Sequence, residues 1–149
     1  MNDYKELFNN NEIKSIEETI KLIESKTTGR IEIYIGKKIS GNPLNLTRKI
    51  FKKTGLKQLK DRNGVLLYIA TKDKKLVIFA DDGINNKVGN TFWESVKEAM
   101  IEKFKKGQFE LGIIGGVNLI GEKLIENFPG EDKNMLGESN AKNSIIFED

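Results

Sequence analysis

The chain has 149 residues, enough for one domain built around a single sizeable core. Its 25 basic and 22 acidic residues nearly cancel to a net charge of +3, and 38% of residues are hydrophobic. That is the composition of a soluble globular protein, and the balance argues against an obligate nucleic-acid binder, which normally carries a concentrated basic face. Cysteine and histidine are absent, so disulfides, thiolate or imidazole metal ligands, cysteine nucleophiles and the Ser-His-Asp triad are all excluded. Carboxylates, lysines, tyrosines or a bound metal are what remain for chemistry. Met1 to Lys5 has neither the basic nor the apolar region of a signal peptide, and no apolar run approaches the ~20 residues of a membrane span. A cytoplasmic monomer is expected, with no nucleic-acid partner and no membrane span.

In chain order, Asn10 or Asn11 can cap a first helix with Ile13, Ile16, Ile20 and Ile23 on one face, ending at Thr27-Thr28-Gly29. Arg30 to Ile35 alternates polar and apolar residues, the period of a strand with one buried face. Asn42-Pro43 opens a second helix whose Leu46, Ile50 and Phe51 face inward, and Gly55 stops it. Lys52, Lys53, Lys57 and Lys60 cluster around this helix as a solvated face. Gly64 to Ala70 is continuously apolar, as a central strand covered on both faces should be. The short polar turn Thr71-Lys72-Asp73-Lys74 returns the chain antiparallel along Lys75 to Ala80. Thr91 and Glu94 fit a capping box for a third helix stopping at Gly107. A fourth helix runs from Phe109 to Phe128, where Pro129 ends it. Its glycines Gly112, Gly115, Gly116 and Gly121 each cost about 1 kcal/mol relative to alanine, which implies close approach to a neighbouring helix.

The stretch that speaks most directly of function is Ala80-Asp81-Asp82-Gly83-Ile84-Asn85, expected as a loop at the carboxyl end of a strand, where open α/β folds place ligands. Adjacent carboxylates and amides suit a hard divalent cation such as Ca²⁺ or Mg²⁺. Asp81 and Asp82 could equally form an ordinary turn before Gly83. Asp61 and Asn63 precede a strand near the same end of the sheet and could complete a coordination shell, although Asn63-Gly64 is also common turn chemistry. Glu94 is a further candidate ligand, with its capping-box role as the competing explanation. Trp93 is expected to be a core or rim aromatic. Arg62 is expected to pair with Asp81 or Asp82 when no metal is bound.

Thr28-Gly29, Ile31 to Ile35, Gly55-Leu56, Arg62-Asn63-Gly64-Val65-Leu66-Leu67-Tyr68-Ile69-Ala70, Asp81-Asp82-Gly83-Ile84-Asn85, Phe92-Trp93, Phe104-Lys105-Lys106-Gly107-Gln108-Phe109, Gly112 to Gly116 and Phe128-Pro129 together resemble the TPM domain family. The resemblance covers roughly residues 7 to 129 and is greatest to stand-alone members. It implies a three-layer α/β/α sandwich around a small mixed sheet, with divalent metal bound in loops at one end. The family's roles are diverse, including acid phosphatases, photosystem repair and partners of membrane receptors, so the fold does not fix the function. Relatives carry an acidic residue where this chain has Arg30, with Glu32 the acidic neighbour here, and a proline with acidic residues where it has Gly89, Asn90 and Thr91. Weaker or fewer metal sites are expected on that account.

Residues 1 to 129 are thus expected to form a TPM-like α/β domain, followed by a polar tail, 130 to 149, loosely docked or disordered. Its function is expected to be that of a divalent-metal-binding module that responds to Ca²⁺ or Mg²⁺ and engages a protein partner, with Asp81, Asp82, Asp61, Asn63 and Glu94 as candidate ligands. The alternative is a metal-dependent acid phosphatase in which the cation polarises a phosphoryl oxygen and activates water.

Overall fold

The computed structural model describes residues 7 to 130 and 144 to 148. Chain order is α1 (Asn10–Glu24), β1 (Arg30–Gly36), α2 (Pro43–Lys53), a 3₁₀ turn (Leu56–Gln58), β2 (Gly64–Ala70), β3 (Lys75–Ala80), α3 (Asp82–Val88), α4 (Asn90–Lys105), α5 (Phe109–Asn127) and β4 (Ile145–Phe147). The four-stranded sheet has the order β3-β2-β1-β4. β1 and β2 are parallel, with Ile31 opposite Val65, as a crossover through α2 requires. β2 and β3 form the antiparallel hairpin, with Val65 opposite Ala80 and Ala70 opposite Lys75.

Side-chain alternation on the strands divides the interior into two layers of packing. Ile31, Ile33, Ile35, Val65, Leu67 and Ile69 meet α1, α4 and α5 on one face. Leu66, Tyr68 and Ala70 meet Ile50, Phe51 and Leu56 on the other. Helices therefore cover both faces, giving the α/β/α sandwich. Of the residues the sequence places on inward helix faces, Ile13 and Leu46 are only partly buried. Glu32 departs the other way. It is buried, so β1 is covered even on its polar face, and Arg30 lies 4.0 Å from its carboxylate.

Several local expectations need correction. The cap of α1 is Asn9, not Asn10 or Asn11, and it forms a reciprocal capping box with Glu12 at 2.8 and 2.9 Å. The glycines of α5 do mark close approach, but to two helices. Gly112 and Gly116 lie against Phe104 and Met100 of α4, and Gly121 against Ile23 of α1, while a side chain at Gly115 would meet open space. The tail also contributes structure. Ile145–Phe147 lies parallel to β1 as a fourth, edge strand, and Ile145 is buried. Most of the remaining tail, 131 to 143, falls outside the described residues.

Candidate functional site

The Asp81 segment is not a loop. Asp81 is the N-cap of α3, its side chain accepting from the Asp82 N–H at 2.8 Å, and Asp82 already occupies the first helical turn. Nor does it lie at the carboxyl edge of the parallel strands. β3 runs antiparallel to β2, so the end of β3 faces the beginning of β2, and Asp81 N donates to Gly64 O at 3.0 Å. The segment joins the amino edge of β1 and β2, beside the loop carrying Asp61, Arg62 and Asn63.

Two short networks meet there. In the first, Arg62 grips Asp81 with two hydrogen bonds of 2.8 Å, from Nε to Oδ2 and from an Nη to Oδ1. The same guanidinium stands 3.8 Å from Asp82. The Asp81 side chain is only 7% exposed, whereas Arg62 is 47% and Asp82 78% exposed. A buried carboxylate is thus closed off by a solvent-accessible arginine. The Asp81 hydrogen bonds and charge, with a smaller contribution from Asp82, hold the Arg62 guanidinium above its ordinary range. Arg62 also has a φ of 52°, a left-handed conformation that few side chains other than glycine, Asn and Asp adopt readily.

In the second network, Asn63 Nδ2 donates to Thr28 Oγ1 and Thr28 Oγ1 donates to Asp61 Oδ2, each at 2.9 Å. Asn63 is fully buried and its Oδ1 has no hydrogen-bond partner. Such an orphaned acceptor is costly in a native interior. The two networks are joined by Gly83, where a methyl group would run into the carbonyl oxygens of Asp61 and Arg62. The Ile84 N–H donates to Arg62 O at 3.3 Å. Gly83 was legible in the sequence only as a turn residue. Its use here is to let the first turn of α3 lie directly on the 61–62 backbone.

The other candidates part company with this site. α4 begins at Asn90 with Gly89 as its N-cap and no side-chain cap, so the Thr91–Glu94 capping box is not formed. Helix α3 ends so close upstream that Gly89, at φ 80°, serves as the junction of both helices. Glu94 is exposed and enters no hydrogen bond or ion pair among the described residues. Asn85 is already engaged, accepting from Trp93 Nε1 at 2.9 Å. Trp93 thereby ties α3 to α4 while packing edge-on against Phe92.

A cation would meet only oxygen donors here, namely Asp61, Asp81, Asp82 and the orphaned Asn63 Oδ1, which is the ligand chemistry of Ca²⁺ and Mg²⁺. Among the described residues no three carboxylates are gathered closely enough to hold a metal ion unaided. The donor set therefore fits in type, and it includes an amide oxygen and a carboxylate that Arg62 now holds.

A mixed sheet covered by helices on both faces, with capped loops at one end, defines an α/β sandwich of the TPM type. The chain belongs to the TPM domain family, whose model matches residues 1–123. It is similar to the BA42 protein of the psychrophilic bacterium Bizionia argentinensis, with 30% identity, 95% of each chain covered and a TM-score of 0.83. It also shares its fold with the N-terminal domain of a protein from P. gingivalis, at 19% identity, a TM-score of 0.69, and 82% of this chain and 79% of that one covered. No curated protein matches the chain. Among the described residues no helix is long and apolar enough to cross a membrane.

Proposed function

We propose that this TPM domain is a divalent-cation-responsive binding module in which Ca²⁺ or Mg²⁺ competes with Arg62 for Asp81. The observation that carries the reading is the pairing of a buried Asp81 carboxylate, held by a half-exposed arginine, with a buried Asn63 oxygen that has no partner. Among the described residues no three carboxylates stand together in the present arrangement, so the cation would have to draw Asp61 and Asp82 in toward Asp81 and Asn63 as Arg62 is released, and Glu94 is not needed. Release of Arg62 would rearrange the 61–63 loop against α3 and present an altered surface to a protein partner. Calorimetry with Ca²⁺ and Mg²⁺ tests the competition. Wild type should bind in the millimolar range or tighter, Asp81→Asn should lose binding, and Arg62→Ala should bind more tightly. Absence of binding heat in both wild type and Arg62→Ala would sink the reading.

The phosphatase alternative has less support. An aspartyl nucleophile needs an available oxygen, and both Asp81 oxygens accept hydrogen bonds from Arg62, with Oδ1 also accepting from the Asp82 N–H. Hydrolysis of a phosphomonoester by wild type with Mg²⁺, lost when Mg²⁺ is removed and lost in Asp81→Asn, would reinstate it.

A further inference from the structure

At the opposite end of the β2–β3 hairpin, roughly 17 Å from Asp81 along β3, lies a cavity of about 600 Å³ that plays no part in the site above. Its floor is the sheet, where Ile69 and Leu76 are directly opposed. Its wall is the turn between α4 and α5, which brings Phe104 and Phe109 to a ring separation of 5.3 Å. Gly107, at φ 75°, makes that turn. Ile101 adds a further apolar surface.

The polar part of the lining has one character. Lys74 and Lys75 come from the hairpin and Lys105 from the last turn of α4, and among the described residues of the lining there is no carboxylate. Among the described residues none of the three ammonium groups has an ion-pair partner. Thr71, also in the lining, has a buried hydroxyl with no hydrogen-bond partner. The hairpin is fixed in place by Asp73, whose Oδ2 accepts from the Ile39 N–H at 2.8 Å. The volume is that of a small-molecule site, lined mostly by apolar groups with a few convergent donors. The donors are three cations and a hydroxyl, so the matching head is an anion that accepts hydrogen bonds, and the aromatic and aliphatic lining calls for an extended hydrocarbon body.

We infer that this cavity binds a long-chain carboxylate, its chain against Ile69, Leu76, Ile101, Phe104 and Phe109 and its head group among Lys74, Lys75 and Lys105. Burial of the chain provides the driving force, and the unpaired ammonium groups select the anion over a neutral or cationic amphiphile. The site shares no residue with the Asp81 network and is independent of the cation reading.

Monomeric dodecanoate is the probe, titrated into the full chain in calcium-free buffer with chelator so that cation binding at Asp81 has no influence. Amide shifts should saturate as for one site and concentrate at Ile69, Thr71, Leu76 and Gly107. Lys75→Glu combined with Lys105→Glu should weaken binding about tenfold or more, and dodecanol should bind wild type more weakly than dodecanoate by a similar factor. Ile101→Trp, its fold checked by its melting curve, should fill the cavity and abolish binding. The inference is overturned if dodecanoate does not saturate in the millimolar range. Equal affinity in the charge-reversed variant, or for dodecyltrimethylammonium, overturns it as well. So does self-association that Ile101→Glu abolishes in a protein that ignores dodecanoate, which would assign the face to a second copy.

Discussion

Arg62 and Asp81 illustrate how a single side chain can serve two ends. Asp81 caps α3 and anchors Arg62, and it is buried while its partner is not. Replacing it with alanine removes the cap, at a cost of about 1 kcal/mol, and leaves the guanidinium with only the longer, exposed contact to Asp82. Asp81→Ala should therefore lower the urea midpoint clearly, whereas Asp82→Ala, at an exposed position, should change it little. Gly83 makes a sharper demand. The methyl of Gly83→Ala has nowhere to go but into the 61–62 backbone, so a loss of about 1–3 kcal/mol is expected from overpacking. The same variant should disturb amide shifts at Arg62 and Asn63 before it disturbs those of β4. Asp81, Asp82, Asp61 and Asn63 were legible in the sequence as a group of hard donors. The close contact through Gly83 was not, because nothing in a sequence says which backbone will lie against a glycine. The burial that separates Asp81 from Asp82 was hidden for a similar reason, since it depends on where the strand ends.

Among the elements, strands and long helices were readable because their apolar periods are strong, and the pieces misjudged or left open are short or depend on distant chain. Helix α3 holds only seven residues and few apolar ones, so its sequence resembles a polar loop. β4 is three residues long and acquires its identity only by pairing with β1 across the sequence. Glu17 of α1 records that pairing. Burial holds its carboxyl above the ordinary value of 4.5, while the Ile145 backbone hydrogen bond and Lys21 pull the other way. The folded protein therefore binds this proton more tightly than the unfolded chain does. The resulting stability is full below the unfolded pKa and is lost as pH rises through the raised folded value. Glu17→Gln should flatten that decline, which denaturant titrations run upward in pH from the ordinary carboxyl value of 4.5 will reveal. The hairpin offers a complementary case. Lys74 sits at φ 54°, and Lys74→Gly should stabilise the fold by about 1 kcal/mol by relieving a left-handed non-glycine residue. The same change removes one of the three ammonium groups from the cavity rim, so dodecanoate binding should weaken as stability rises.

At the scale of the whole molecule, the antiparallel placement of β3 decides where the two candidate sites lie. Had β3 been parallel, Asp81 would sit at the carboxyl edge beside Ala70 and the hairpin cavity would not exist. Instead the acidic residues collect at the start of β2 and the lysines at its end. The amino-edge site links three elements, since Asp81 bridges β3 and α3 while the 61–63 loop leads into β2. A cation bound there would tie these elements together in the folded state and have no comparable site in the unfolded chain. Such binding stabilises by RT ln(1 + [L]/Kd), about 2.7 kcal/mol at a hundredfold excess over Kd. For a chain of this length that is roughly 5–10 °C in melting temperature. Calcium should raise the melting point by that order, chelator should return it to its starting value, and Asp81→Asn should respond to neither. Potassium chloride at matched ionic strength separates the effect from screening, because screening would weaken the Arg62–Asp81 attraction and could not raise the melting point through it. A wild type that melts at the same temperature in calcium, chelator and matched salt would leave Asp81 as the cap of α3 and the anchor of Arg62, with no cation role.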